Sequence, residues 1–156
     1  MAGVSIWPDV VDALILLGKE RLSDDVLVID GDGPESDDVG DFLFIGLGDP
    51  RRDDSDAGTF DQSWPQSTAA GRRETGTVFC IAISHNGSGD VKAARDSAFT
   101  TLGAVQRVLR EDTRLGGVNG LLSTSLTGGQ PDQVRTERGA VCAIRFSVDY
   151  TADLRE

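Results

Sequence analysis

Apolar positions recur along this chain first at helical spacing, then at strand spacing, and the two patterns alternate in a readable order. Val10, Val11, Leu14 and Leu17 lie three or four residues apart, with Pro8 in the first turn, Asp9 and Asp12 beside it, and Lys19 and Arg21 near the end. Those are the charges each helix terminus prefers, and the pattern predicts a helix over 8–22. A short apolar run at 26–29 reads as a strand closed by Asp30-Gly31-Asp32-Gly33-Pro34, which is turn chemistry. The run at 41–47 is the next strand. Residues 48–71 are polar, anchored by Trp64-Pro65, and read as a long loop.

The second half is more regular. A β-rich run at 77–84 passes through His85-Asn86-Gly87-Ser88-Gly89 into a helical stretch, 90–110. Asp90 is a good N-cap, and Val91, Ala94, Ala98, Leu102, Val105 and Leu109 form one apolar face. Leu115-Gly116-Gly117 closes that region. In 121–127, Leu122 and Leu126 stand among polar residues. Gly128, Gly129, Gln130, Pro131 and Asp132 are read as a turn, and 133–138 as a polar return arm. The run at 141–150 is the closing strand.

This order predicts an α+β fold: an antiparallel or mixed β-sheet with two helices packed on one face, the other face polar, plus a protruding β-hairpin and long acidic loops. At 156 residues the chain is read as a single domain, 1–156, with an acidic insertion at about 48–71. Its 19 glycines and five prolines agree with many turns. No apolar span approaches the ~20 residues of a membrane helix, and no signal-peptide pattern opens the chain. The expected setting is a reducing cytoplasm. Cys80 and Cys142 each sit in an apolar strand run and read as core thiols rather than a disulfide or metal pair.

Charge changes the picture more than composition does. Residues 24–61 hold thirteen of the 26 acidic residues against two of the 15 basic ones, so this stretch carries the whole formal net charge of −11. Such a surface repels phosphates and argues against sequence-specific nucleic-acid binding. A solvated loop region is the plain reading. The sharper one is a surface past which DNA moves without sticking.

The motifs that suggest chemistry fall short of it. Asp30-x-Asp32 begins like a calcium loop, but Pro34 and Glu35 stand where the fifth ligand and the glycine belong. Asp53-Asp54-Ser55-Asp56 has Trp64 at the position of the bidentate glutamate. Gly87-Ser88-Gly89-Asp90-Val91-Lys92 joins a strand to a helix without the spacing of a phosphate loop, and Asp90 occupies the place an anion would take. His85, the single histidine, reads as a loop residue, which leaves no multi-histidine zinc site and no evident nucleophile–base pair. The chain is therefore expected not to be an enzyme and to need no cofactor or metal.

The strand at 78–84, the Gly87-Ser88-Gly89 loop, the helix at 90–110, Leu115-Gly116-Gly117, the closing strand at 143–150 and an N-terminal helix together resemble the tail-terminator (minor tail, tail-completion) proteins of long-tailed siphophages, and the related neck proteins. The resemblance is architectural and covers about half of the chain. Richness in Gly, Asp, Arg and Ala with little Lys suits a phage of a high-GC host.

The resemblance implies a homo-oligomer, a hexameric ring, that caps the tail tube, stops its polymerisation and meets the head-tail connector protein. DNA would pass through the lumen without sequence-specific binding. The protein would be assembled in the host cytoplasm and located in the virion, with no membrane partner. Under it, Asp30, Asp32, Asp37, Asp38, Asp53, Asp54 and Asp56 are candidate lumen-facing acids. Gly128, Gly129, Gln130, Pro131 and Asp132 are a candidate assembly arm. The acidic segment at 48–71 departs from the shorter members of that family. Two other readings are a head-completion (connector) protein and, from another class, a small nucleotide-binding hydrolase built on 87–92.

Overall fold

The computed structural model describes residues 4–31, 39–48, 56–64 and 71–155. Two helices, α1 (Trp7–Arg21) and α2 (Val91–Glu111), lie on one face of a six-stranded open sheet. The strands are β1 (Val26–Asp30), β2 (Gly40–Ile45), β3 (Gly58–Ser63), β4 (Gly71–Asn86), β5 (Leu121–Thr136) and β6 (Gly139–Arg155), in the order β1-β2-β4-β6-β5 with β3 paired to β4. Only β1 and β2 are parallel; the other pairings are antiparallel. The expected α+β sheet with two helices on one face is the observed fold.

Register fixes which residues meet the helices. Leu43 and Ile45 of β2 pair with Ala82 and Cys80 of β4, and those pair with Ile144 and Phe146 of β6, so all share the helix-covered face. Val10, Leu14 and Leu17 of α1 and Val105 and Leu109 of α2 close over them. Ala94 and Ala98 pack nearer Ala140, Cys142 and Ile144, where small residues let α2 approach the sheet. Gly18 does the same for α1: a Cβ there would stand 3.3 Å from both methyls of Val28. The face away from the helices is not wholly polar. Phe42, Phe44 and Ile81 are buried there, with the two rings 6.4 Å apart.

Three sequence readings change. The segment 48–71 was expected to be loop, yet β3 lies within it and pairs residue for residue with Arg73–Val78 of β4. His85 was expected in a loop; it is a buried β4 residue whose Nε2 lies 3.2 Å from the Arg138 carbonyl. Gly128 to Asp132 was expected to turn the chain, but β5 runs straight through as a single strand. Pairing skips from Thr127↔Ser147 to Gln130↔Arg145, so Gly128 and Gly129 form a bulge, and the hairpin turn lies at Glu137 and Arg138 instead. Helix α2 opens as expected, with the Asp90 side chain accepting from the Ala93 amide at 3.1 Å.

The sheet and the start of α1 are joined by one buried polar group. Glu74 is fully buried, and four donors converge on its carboxylate. Ser5 Oγ (2.7 Å), the Ile6 amide (3.2 Å) and Tyr150 Oη (2.6 Å) donate to Oε2, and Gln62 Nε2 (2.6 Å) donates to Oε1. Tyr150 reaches it by lying across Gly76, its cross-strand partner, where a Cβ would stand 2.3 Å from the ring. Burial, and then the hydrogen bond to Glu74, push the Tyr150 phenol pKa up. Among the described residues, no buried side-chain polar atom lacks a hydrogen-bond partner.

Glu74→Ala would leave these donors facing an apolar gap, and a loss of about 3–5 kcal/mol is expected in denaturant unfolding. Tyr150→Phe removes one donor and keeps the packing over Gly76, so it should cost about 1–2 kcal/mol. Equal losses for the two would show that Glu74 does not gather the site.

Candidate functional site

The candidate acids and the candidate arm fall in three places. Asp30 ends β1, exposed, level with Ile45. Asp56, also exposed, precedes β3. Asp32, Asp37, Asp38, Asp53 and Asp54 lie outside the described residues. Gly128 and Gly129 form the β5 bulge, Gln130 and Pro131 pair with Arg145 and Ile144, and Asp132 forms an ion pair with Arg145 at 3.3 Å.

Asp56 and the bulge come together. They border an open recess of about 420 Å³ whose wall includes Leu47, Gly48, Phe79, Arg145 and Ser147. Its position follows from the sheet. At Phe79 the two short neighbours of β4 meet end to end, and the backbone there is shared. The Gly46 and Leu47 amides donate to the Phe79 carbonyl at 2.8 and 3.0 Å, while the Phe79 amide donates to the Ala57 carbonyl at 2.9 Å. The bulge across the sheet removes two side chains opposite that junction. Asp41, in contrast, belongs to the packing of α2: its carboxylate accepts from Ser97 Oγ at 2.8 and 2.9 Å.

The described lining of the recess joins one ion pair to apolar and backbone groups. Arg145 is engaged with Asp132 at 3.3 Å. Among the described residues, no group of three His, Cys, Asp or Glu side chains could hold a metal. Its chemistry is that of a surface: a cation–carboxylate pair, an apolar ring and exposed backbone at a two-glycine gap.

The nucleophile candidates are withdrawn from solvent. Cys80 and Cys142 are free thiols, both buried under the helices. They share the helix-covered face but have different partners: Cys80 pairs across the sheet with Phe146, and Cys142 with Ser84. Burial pushes the Cys80 thiol up to about 12, against a smaller lowering by the Gly46 backbone hydrogen bond. Burial raises Cys142 as well. The turn after β4 is self-contained, because Asn86 Oδ1 accepts from the Ser88 amide at 2.9 Å and Ser88 Oγ at 2.5 Å.

Sequence reading missed Glu74, Gln62 and Tyr150 as a cluster. The available signal was parity, since Glu74 and Gly76 continue the alternation of Val78, Cys80 and Ala82 on the covered face.

No helix among the described residues is long and apolar enough to cross a membrane.

At pH 8 a thiol titrating near 12 is ionised in about one molecule in ten thousand. Iodoacetamide should therefore leave Cys80 unmodified in the folded protein while labelling it in denaturant. Intact-mass measurement before and after unfolding reads this directly, and rapid native labelling would contradict the buried-thiol assignment.

No family model and no curated protein matches the chain. Among solved structures, the fold is similar to that of a chain from a virion of a native gene transfer agent (GTA) particle. The superposition has a TM-score of 0.53 and covers 87% of this chain and 84% of that one at 12% sequence identity. At that identity the likeness is one of fold: a two-helix, mixed-sheet domain whose architecture also occurs in a virion component.

Proposed function

We propose that this chain is a structural virion protein of a tailed, phage-like particle. Within that class we read it as a tail terminator. Copies would form a closed ring, expected to be a hexamer, that caps the last ring of the tail tube, ends its polymerisation and receives the head-tail connector. The observation that carries the proposal is the shared fold with a GTA virion chain over nearly the full length of both. The order of helix, strands, long helix and closing hairpin supports it, being the pattern on which the tail-terminator resemblance rests.

The site chemistry supports a non-enzymatic role. Burial raises both thiols, which favours their protonated form, and the single histidine is buried against a backbone carbonyl. Asp30 and Asp56, exposed at the described ends of the acidic segments, are assigned with Asp32, Asp37, Asp38, Asp53 and Asp54 to the channel or its axial opening. Like charge keeps a phosphate backbone sliding there rather than bound. The β5–β6 hairpin is assigned to contacts between subunits or between rings.

Electron microscopy of particles made without this gene tests the role. Overlong, headless tails beside DNA-filled heads are expected. Tails of normal length that fail to join heads would move the protein to the connector side of the joint, and normal virions would overturn a structural role altogether. Replacing the seven acids by their amides should slow DNA ejection several-fold, measured as DNA released over time from purified particles, while leaving particle numbers unchanged. Unaltered ejection would remove the acids from the DNA path.

A further inference from the structure

The sheet is open at both ends, and its two edges are complementary to each other. Among the described residues, no strand pairs with the outer side of β1 or of β5. β1 runs parallel to β2, β2 antiparallel to β4, β4 antiparallel to β6, and β6 antiparallel to β5. β5 therefore runs opposite to β1. When a second copy is set beside the first in the same orientation, the two edges meet antiparallel, the commoner strand relationship.

The levels match as well as the directions. Followed across the sheet, Val26 is level with Asp41, Ser84, Cys142 and Gln133, and Leu27 is level with Asp132. Asp24 and Asp25, exposed in the turn that enters β1 at Val26, therefore lie at the same end of the sheet as Val134 and Arg135, both exposed just beyond Gln133 near the top of β5. Leu27 and Val134 lie on the sheet face away from the helices, and they are 54% and 44% exposed.

One edge thus offers two carboxylates above an exposed leucine, and the other an arginine beside an exposed valine. Features that blunt an edge strand, the two-glycine bulge and Pro131, sit lower on β5 and leave its upper end free of them. A two-fold pairing of β1 on itself would instead gather Asp24, Asp25 and Asp30 of both copies along one seam.

We infer that the upper edge of β5 (Val134, Arg135) docks on the β1 edge and the turn before it (Asp24, Asp25, Leu27) of a second copy of this chain. It is a heterologous contact, repeated from subunit to subunit. The inference rests on the ring reading in taking the copies to be like-oriented. Surface ion pairs are individually weak, so their part here is to choose the partner edge and its level. The apolar pair and the strand backbone supply the adhesion.

The test is made in assembled particles. The native thiols are buried, so Asp24→Cys with Arg135→Cys in the same chain adds the reactive pair. After mild oxidation and non-reducing electrophoresis of purified particles, a covalent ladder ending at the ring's subunit number is expected, with each single variant staying monomeric. A dimer from either single variant would establish a two-fold contact and overturn the inference.

Particles that carry the chain yet give no ladder would overturn the contact and leave the ring standing. Particles that lack the unaltered chain would overturn the ring reading and the contact with it. A charge exchange serves as the second readout. Asp24→Lys with Asp25→Lys, or Arg135→Glu alone, should lower incorporation several-fold, and the combination should restore it. Full incorporation of both partial variants would again count against the contact.

Discussion

The carboxylate of Glu74 is the constraint on which the rest of the architecture hangs. A buried carboxylate without partners would cost several kcal/mol, so its presence demands that donors be delivered from elsewhere, and they come from three separate parts of the chain. Ser5 and Ile6 bring the entry of α1, Gln62 brings β3, and Tyr150 brings the middle of β6. Once those are placed, α1 can lie only over β1 and β2, and β3 only along the lower half of β4. Trp7 reinforces the same corner by donating from Nε1 to the Thr77 carbonyl at 3.0 Å. Apolar packing over Val78 and Cys80 supplies most of the adhesion, while the polar knot supplies the geometry.

Much of the fold was legible because its periodicities are clean. The apolar positions of both helices, the cap at Asp90 and the cores of β1, β2, β4 and β6 all stand out at spacings of two or of three to four. What was not legible had a physical cause in each case. β3 reads Gly-Thr-Phe-Asp-Gln-Ser, and Phe60 is half exposed, so the strand is held by its partner rather than by an apolar stripe. The lower half of β4 is written in charged residues because its covered face holds Arg72, which donates to the Val4 carbonyl, and Glu74, which accepts from donors distant in sequence.

The bulge misled for a related reason. An extra residue in β5 reverses which positions face the helices, so Leu126 below it and Pro131 above it share a face despite their odd separation. Paired glycines followed by proline carry the composition of a turn, and only the long partner strand reveals that the chain continues. The hairpin was expected to turn at Gly128 to Asp132, and its turn lies at Glu137 and Arg138. The acids were recognisable by density alone, which says where charge is and not where it points.

A more distant consequence follows from the junction at Phe79. Residues 46–47 leave the sheet and residue 57 returns to it at one peptide of β4, and the backbones of Gly48 and Asp56 lie so close that a Cβ on Gly48 would stand 2.5 Å from the Asp56 carbonyl. Whatever lies between those two points is closed by its own ends. Doubling the length of such a closed segment adds only about 0.6 kcal/mol of ordering cost. The sheet therefore holds the two described ends, Gly48 and Asp56, together by its own hydrogen bonds, and a connection of another length or charge between them would leave the sheet as it is. A lineage could retune the charge and length of this edge of the recess without renegotiating its fold.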